Sequence, residues 1–141
     1  MKIAIASDHG GFNLKTKIIE HLKNKYEVVD FGTDSTQSCD YPVYAKKVAN
    51  AILSKGFDRG ILLCGTGIGM AICANKFKGI RAANVSDTFS ARMTRMHNNS
   101  NILTLGERTI GAGLALDIVD IWLNTDFEGG RHQKRIDMIE E

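Results

Sequence analysis

The sequence predicts a parallel β-sheet with helices packed on both of its faces. Five short apolar runs, typical of strands, recur along the 141 residues. Several of these runs do not alternate with polar residues, which is the pattern of strands buried on both faces. Segments with helical spacing lie between them. Successive strand–helix units of this kind favour a parallel sheet with right-handed crossovers.

Each predicted element is supported by its own pattern. The strands fall at residues 3–6, 27–30, 60–64, 80–85 and 101–105. Apolar side chains three or four residues apart define one face of each predicted helix. We expect the methionines among them to be core residues and not cofactor contacts. These apolar faces are Leu14, Ile18 and Leu22; Tyr44, Val48, Ala51 and Ile52; Phe89, Met93 and Met96; and Leu114, Ile118, Ile121 and Trp122.

The last segment departs from this alternation. Gly129 and Gly130 precede a group of basic residues and a short predicted helix through Ile139. No linker, repeat or low-complexity stretch separates this segment from the rest of the chain. We therefore predict a single domain, residues 1–141, with a basic helical tail at about residues 129–141.

The composition excludes several classes of protein. With 43% apolar and 24% charged residues, the chain is neither a disordered tail nor a disulfide-stapled miniprotein. Its net charge of +2 is too small to indicate a nucleic-acid or membrane-surface binder. The first apolar run is too short for a signal peptide, and residues 114–123 are too few for a membrane span. The three cysteines contain no C-x-x-C pair, so we expect free thiols and a cytoplasmic location.

Polar residues follow the predicted strands at their carboxyl ends. In open parallel sheets this edge is where ligands bind. Asp8 and His9 come after the first strand, Cys64 ends the third, and Arg108 follows the fifth. The topology therefore predicts that a carboxylate, an imidazole, a thiol and a guanidinium lie at one edge of the sheet.

The segment Gly65-Thr66-Gly67-Ile68-Gly69 is the strongest local signal. Glycines at alternate positions after a buried strand permit a tight turn that exposes backbone N–H groups at a helix start, where they stabilise an anion. A dinucleotide-binding loop is the main alternative, but it requires G-x-G-x-x-G in the first strand–helix unit, and this segment lies in the third. It is not a P-loop, because the G-K-[ST] ending is missing.

Cys64 directly precedes this loop. An isolated cysteine at a strand end is usually a small buried hydrophobe, the role that we assign to Cys73 in the next helix. The positive end of a helix, however, stabilises a thiolate. A thiolate beside backbone N–H donors suits the removal of a proton next to a carbonyl. The thiolate is then the base, and the amides hold the enediolate oxygen.

Asp8, His9 and His97 each allow two interpretations. Asp8 either caps the following turn or binds sugar hydroxyls, and in the second case His9 would contact a phosphate. His97 ends a predicted helix, where histidine commonly satisfies the helix dipole. That position lies at the edge of the sheet opposite Cys64. If His97 is catalytic, it must serve the site of a neighbouring subunit or reach across through its loop.

The basic tail is either a solvated surface or a phosphate site. Arg131 and Arg135 are four residues apart and therefore share a helix face. Two guanidinium groups in register can hold a phosphate, and Arg108 can join them. Metal binding is poorly supported, because the four histidines show none of the usual metal-ligand spacings.

Taken together, these motifs resemble ribose-5-phosphate isomerase type B, a family that also holds galactose- and allose-6-phosphate isomerases. The resemblance implies a three-layer α/β/α, Rossmann-like fold and a step of the pentose phosphate pathway, catalysed without a metal or other cofactor. It also implies a homodimer, often paired into a tetramer, with active sites at the subunit interface. The resemblance covers the full chain in order; its motifs are Ser7-Asp8-His9-Gly10-Gly11, Asp40-Tyr41-Pro42, Cys64 to Gly69, Ala74-Asn75-Lys76, His97-Asn98-Asn99-Ser100-Asn101 and Gly129-Gly130-Arg131-His132.

The resemblance implies a role for each site residue. Cys64 would carry a proton between C1 and C2, Thr66 would polarise its thiol, and His97 would open the furanose ring. Part of the family has a glutamate base further along the loop, but residue 70 is Met here, as in the thiol branch. Ser7 receives no role. The remaining positions would bind substrate. The enediolate would be held by the loop residues Gly65, Thr66, Gly67, Ile68 and Gly69, and the sugar by Asp8, Tyr41 and Asn98. The phosphate would be bound by His9, Arg108, Arg131 and Arg135, some of them from the partner subunit.

Two competing functions stay open at this point. Allose 6-phosphate or galactose 6-phosphate is an alternative substrate, because pocket depth is not readable from the sequence. The presence of Cys64, His97, Arg131 and Arg135 in one chain argues against the heteromeric galactose-6-phosphate enzymes, whose subunits divide such residues. The other alternative is a non-catalytic module that binds a nucleotide or a sugar phosphate.

Overall fold

Five strands alternate with helices along the chain in the computed structural model, which describes residues 1–141. All five predicted strands and the tail helix are confirmed, although the fourth strand is shorter than residues 80–85. A 3₁₀ turn, His9–Gly11, joins the first strand to the first helix. The elements are β1 (Lys2–Ser7), α1 (Phe12–Leu22), β2 (Glu27–Asp30), α2 (Tyr41–Ser54), β3 (Arg59–Cys64), α3 (Ile68–Ala74), β4 (Ala82–Asn84), α4 (Thr88–Asn98), β5 (Ile102–Gly106), α5 (Ala112–Asn124) and α6 (Arg131–Ile139).

The five strands form one parallel sheet with the order β2-β1-β3-β5-β4. β2 pairs with one edge of β1, and β3 pairs with the other edge, so the order of the strands reverses between β1 and β3. In such a sheet ligands usually bind at this reversal of strand order, next to the loops that follow β1 and β3 at their carboxyl ends. These loops carry Asp8 and the glycine segment after Cys64.

Two apolar cores cover the two faces of the sheet and make the fold a three-layer α/β/α structure, as predicted. In β3, Ile61 and Leu63 face the core formed with α1, α4 and α5, whereas Leu62 and Cys64 face the core formed with α2 and α3. Both faces of β3 are therefore buried, which explains its unbroken apolar sequence. The helices are all too short or too polar to span a bilayer.

The predicted apolar face of α4 is wrong. Phe89 is 66% exposed, and the two methionines that follow it are only partly buried. The helix instead buries Ala91 and Arg95. Arg95 turns inward because its guanidinium finds buried acceptors beyond the helix, the carbonyl oxygens of Ser100 at 2.6 Å and Thr125 at 3.2 Å.

A buried ion pair supports the chain beside the end of β1. Lys15 is fully buried, and its Nζ lies 2.8 Å from both carboxylate oxygens of Asp30 and also donates to the carbonyl of Thr33. The backbone N–H of Thr33 donates in turn to the carbonyl of Ser7 at 2.7 Å. The ion pair thus holds the loop after β2 against the backbone that presents Asp8.

Asp30→Asn is expected to lower the free energy of unfolding by about 3 kcal/mol, because it leaves a buried ammonium group without its counter-charge. Lys15→Met is expected to cost less, since the Asp30 side chain is 42% exposed and water can replace its partner. Urea unfolding of the two variants measures the difference. An Asp30→Asn loss no larger than that of Lys15→Met would contradict this account.

Candidate active site

The predicted site residues fall into two groups at opposite edges of the sheet. The strand-tip cluster lies at the carboxyl ends of the strands, and the helix-end cluster lies where α4 ends and α6 begins. The strand-tip cluster consists of Asp8, His9, Tyr41, Cys64, Gly65, Thr66, Gly67, Ile68, Gly69 and Arg108. The helix-end cluster consists of His97, Asn98, Arg131 and Arg135.

The sulfur of Cys64 faces the turn of the glycine loop. The backbone N–H of Gly67 donates to Cys64 Sγ with an N···S distance of 3.0 Å. Gly67 has a φ of 81°, and an added Cβ there would lie 2.4 Å from the side-chain amide of Asn84. Glycine is therefore required for the turn that directs this N–H at the sulfur. A donor in that position stabilises the thiolate.

Other N–H groups of the same loop are not used within the chain. The backbone nitrogens of Gly65, Thr66 and Gly69 donate to no acceptor, whereas that of Ile68 donates to Thr66 Oγ1 at 3.2 Å. Free N–H donors of this kind can bind an oxyanion that forms next to the sulfur. The Thr66 hydroxyl makes no hydrogen bond with Cys64, so its polarisation of the thiol stays a prediction.

Asp8 and His9 occupy the neighbouring loop. Asp8 Oδ1 accepts from the backbone N–H of Gly10 at 2.8 Å, which confirms the capping interpretation, and its second carboxylate oxygen makes no hydrogen bond to the chain. His9 Nδ1 accepts from the backbone N–H of Cys39 at 3.2 Å. A neutral imidazole that accepts at Nδ1 carries its proton on Nε2. Nε2 of His9 is therefore the nitrogen available to donate to an anion.

Tyr41 and Arg108 flank the glycine loop. The ring of Tyr41 lies against Gly69, where an added Cβ would be 2.7 Å from a ring carbon. The backbone N–H of Arg108 donates to the carbonyl of Gly65 at 3.0 Å, and the Arg108 side chain runs alongside that glycine. The Arg108 guanidinium forms no salt bridge within the chain. The strand-tip cluster thus combines a thiol, free N–H donors and an unpaired cation.

His97 lies in the last turn of α4 and stacks on His132, in the first turn of α6. The two ring centroids are 4.3 Å apart, and the ring planes differ by 14°. Glu128 lies beside both rings, with its Oε2 3.1 Å from Nε2 of His132 and 3.9 Å from Nε2 of His97. Arg131 directly precedes His132 at the start of α6, and Arg135 follows one turn later.

Two arginines hold the end of α4 in place. Arg81 donates to the carbonyl of Asn98 from Nε and to the carbonyl of Asn99 from its guanidinium, both at 3.0 Å. Arg95 donates to Asn99 Oδ1 at 2.9 Å. Burial, together with the charges of Arg59 and Arg81, lowers the pKa of Arg95 to about 10. Arg95 therefore stays protonated at neutral pH and keeps its hydrogen bond to Asn99 at the end of α4.

The two clusters do not meet within one chain. The N–H of Gly60 bonds to the carbonyl of Asn101, just beyond α4, whereas Cys64 ends the same strand at the other edge. Four strand residues advance about 13 Å. Cavities of about 310, 300 and 260 Å³ are present, and none is lined by the strand-tip cluster. The separation of His97 from Cys64 agrees with the prediction from topology.

Sequence reasoning missed two residues of these clusters, Asn84 and Glu128. Asn84 ends β4 and packs beneath Gly67, with its side-chain amide 3.0 Å from Thr104 Oγ1. The backbone N–H of Glu128 donates to the carbonyl of Met96, which fixes the loop before α6 against α4. Both contacts join distant parts of the chain, and no local spacing signals them.

The family model for Ribose/Galactose Isomerase matches residues 3–139. Ribose-5-phosphate isomerase B of Escherichia coli is 50% identical over 98% of this chain and 93% of its own length. A structure of Clostridium thermocellum ribose-5-phosphate isomerase B superimposes with a TM-score of 0.98 at 56% identity, over 99% of this chain and 95% of that one. A structure of Mycoplasma genitalium ribose-5-phosphate isomerase B with bound ribulose-5-phosphate gives a TM-score of 0.95 at 46% identity, over 99% of this chain and 93% of that one. These matches confirm the predicted resemblance and fold: the chain belongs to the ribose/galactose isomerase family.

Proposed function

We propose that this protein interconverts ribose 5-phosphate and ribulose 5-phosphate through a cis-enediolate, with Cys64 as the base. The observation that carries the proposal is the sulfur of Cys64, 3.0 Å from the Gly67 nitrogen and beside the unused N–H groups of the same loop. The similarity to ribose-5-phosphate isomerases B over nearly the whole chain supports the choice of substrate.

The reaction needs a base, an oxyanion site and a group that opens the ring. The Cys64 thiolate removes the proton from C2 of the open-chain aldose, and the C2–H electron pair forms the C1–C2 double bond of the enediolate. The unused N–H groups of the loop hold the resulting oxyanion at O1. The proton returns to C1, and the hydroxyl proton passes from O2 to O1 to give the ketose. A general base contributes about 10²–10⁴-fold, and each oxyanion donor about 10²–10³-fold.

His97 opens the furanose ring by proton transfer at the ring oxygen, while Asn98 and Asp8 orient the sugar hydroxyls. Tyr41 lines the pocket. Nε2 of His9 and the guanidinium groups of Arg108, Arg131 and Arg135 bind the phosphate. The free Nε2 of His9 supports this assignment, as does the fact that none of the three arginines forms a salt bridge within the chain.

Arg131→Ala and Arg135→Ala are each expected to raise KM for ribose 5-phosphate by about 10- to 100-fold, which corresponds to loss of one charge-assisted phosphate contact. The effect on kcat is expected to be smaller. Steady-state kinetics measure both constants. Lys134→Ala, at an exposed position of the same helix, is the matched control. An unchanged KM in both arginine variants would place these side chains in solvent and contradict the phosphate assignment.

The proposed site is shared between two copies of the chain, so that the strand-tip cluster of one copy faces the helix-end cluster of the other. The distance between the clusters within one chain supports this arrangement. The exposed apolar side chains of Ile68, Ile72 and Phe89 support it too, because they lie on the helices that precede and follow the edge strand β4. An apolar surface of this kind beside a free strand is typical of an interface.

A six-carbon sugar phosphate is the second candidate substrate, favoured by the family's inclusion of galactose isomerases. We expect kcat/KM for ribose 5-phosphate to exceed that for allose 6-phosphate by at least about tenfold, since a site fitted to one chain length discriminates against an added carbon by about 10- to 200-fold. Parallel assays with the two aldose phosphates measure the ratio. A reversed ratio would identify the protein as a hexose phosphate isomerase, and equal values would contradict the expected preference for ribose 5-phosphate.

A further inference from the structure

We propose that His97, Glu128 and His132 form a binding site for a divalent transition-metal ion, and that a bound ion inhibits the isomerase by occupying the imidazole of His97. The proposal of a metal site rests on the geometry of these three residues alone. The inhibition rests in addition on the proposed role of His97 in ring opening.

The three side chains converge from separate elements. His97 comes from the end of α4, His132 from the start of α6, and Glu128 from the loop between α5 and α6. One potential ligand atom from each, the two imidazole nitrogens and a carboxylate oxygen, lies within 4.8 Å of the others. The hydrogen bond from the Glu128 backbone to the carbonyl of Met96 fixes the loop in this position. The backbone of the fold therefore places the three side chains next to one another.

The buried nitrogen of His132 is the second observation that points to a ligand. His132 is only 6% exposed, and its Nε2 makes no hydrogen bond. Oε2 of Glu128 is only 3.1 Å away, but it lies out of line for a hydrogen bond. A buried polar atom without a partner is costly, commonly by about 1–3 kcal/mol. A metal ion between Nε2 and the carboxylate would satisfy both groups.

Completion of the site requires the His97 ring to turn. Tetrahedral zinc, with Zn–N distances near 2.0–2.1 Å, places its ligand atoms about 3.3 Å apart. Nε2 of His132 and Oε2 of Glu128 are already at 3.1 Å, whereas Nε2 of His97 is 3.9 Å from that oxygen. Two nearly parallel stacked rings cannot both direct a lone pair at one ion, so the His97 ring must leave the stack and rotate toward the ion. His97 is partly exposed and has room to do so.

The donor set selects the class of metal. Two imidazoles and a carboxylate favour zinc and its first-row neighbours over magnesium and calcium, which prefer oxygen ligands. Three protein ligands leave a fourth position open to water. Once Nε2 of His97 is bound to the metal it can no longer donate or accept a proton. Turnover of the cyclic sugar phosphate then stops until the ion leaves.

The direct test is a Co²⁺ titration of the full chain, freed of metal by a chelator and followed by visible absorption. We expect one Co²⁺ per chain, the visible bands of a site with nitrogen and oxygen ligands, and displacement of Co²⁺ by Zn²⁺. In Glu128→Gln, the affinity for Co²⁺ is expected to fall by at least about tenfold. The partly exposed Glu128 side chain makes this variant safe for folding. Asp137→Asn, which removes an exposed carboxylate of α6, is expected to keep the wild-type affinity.

The enzymatic test uses ribose 5-phosphate with Zn²⁺ or Mg²⁺. Zn²⁺ is expected to inhibit and Mg²⁺ to have no effect, and the Zn²⁺ concentration for half-inhibition is expected to rise at least about tenfold in Glu128→Gln, relative to the variant's own metal-free rate. Cys39→Ser, which removes the thiol 3.9 Å from His9 Nδ1, is expected to leave both titrations unchanged.

Three results would overturn the metal site: no Co²⁺ binding, the intense charge-transfer band of a thiolate ligand, or wild-type affinity in Glu128→Gln. Binding without inhibition of an active enzyme would overturn the inhibitory role. If the chain had no isomerase activity at all, the proposed function would fail, and the Co²⁺ titration would still decide whether the metal site exists.

Discussion

Cys64→Ala is expected to lower the rate of proton exchange at C2 by about 10²–10⁴-fold, the contribution of a general base, while the sugar phosphate still binds. The change removes only the sulfur atom, and the arginine and amide groups that hold the substrate stay in place. Exchange of solvent deuterium into ribose 5-phosphate, followed by NMR, measures the chemical step. Calorimetric titration measures the binding.

Two further variants separate a chemical role of this sulfur from a structural one. Cys73→Ala also removes a thiol, from a partly buried position in α3, and is expected to exchange at the wild-type rate. Cys64→Ser keeps the size of the side chain but replaces the thiol by a hydroxyl that does not ionise near neutral pH. It is expected to be as slow as Cys64→Ala. A serine variant with near wild-type exchange would show that Cys64 serves packing and is not the base.

The sequence was informative about the fold because the strands and most of the helices carry their own periodicity. The apolar residues of β3 report burial on both faces without reference to any other part of the chain. The exception is α4. This helix buries Arg95, because the hydrogen-bond acceptors of that side chain lie on Ser100 and Thr125, outside the helix. A hydropathy pattern contains no information about acceptors supplied by other segments.

The residues of the candidate site differ in the same way, since some carry a local sequence pattern and others do not. Gly65, Gly67 and Gly69 could be interpreted from sequence because an anion-binding turn has a local residue pattern. Glu128 could not, because its neighbour His97 is brought to it by the packing of α6 against α4. The tautomer of His9 was equally hidden, since it depends on the backbone N–H of Cys39, thirty residues away.

The position of His97 was predictable because it follows from topology alone. A helix that connects two parallel strands begins at their carboxyl edge and ends at the opposite edge. His97, in the last turn of such a helix, therefore lies far from Cys64 in its own chain. If the two residues act on one substrate molecule, they come from different chains, and each active site of a symmetric dimer takes its strand-tip cluster from one copy and its helix-end cluster from the other.

A dimer made from one Cys64→Ala chain and one His97→Ala chain is therefore expected to have about half of the wild-type activity per dimer. One of its two sites contains both defects, and the other contains neither. Each variant alone is expected to be nearly inactive. Co-expression with two different affinity tags, followed by purification through both, isolates the mixed dimer for a ribose 5-phosphate assay.

The matched control is a mixed dimer of Cys64→Ala and Asp8→Ala, in which both changes lie in the strand-tip cluster. Here every site contains one defect, so the shared-site arrangement predicts no recovery of activity. A site built within one chain predicts no recovery in either mixed dimer, since every site of both dimers would then contain one defect. Size-exclusion chromatography of the same samples verifies that dimers are present, so that a missing recovery reflects the location of the site and not a failure to associate.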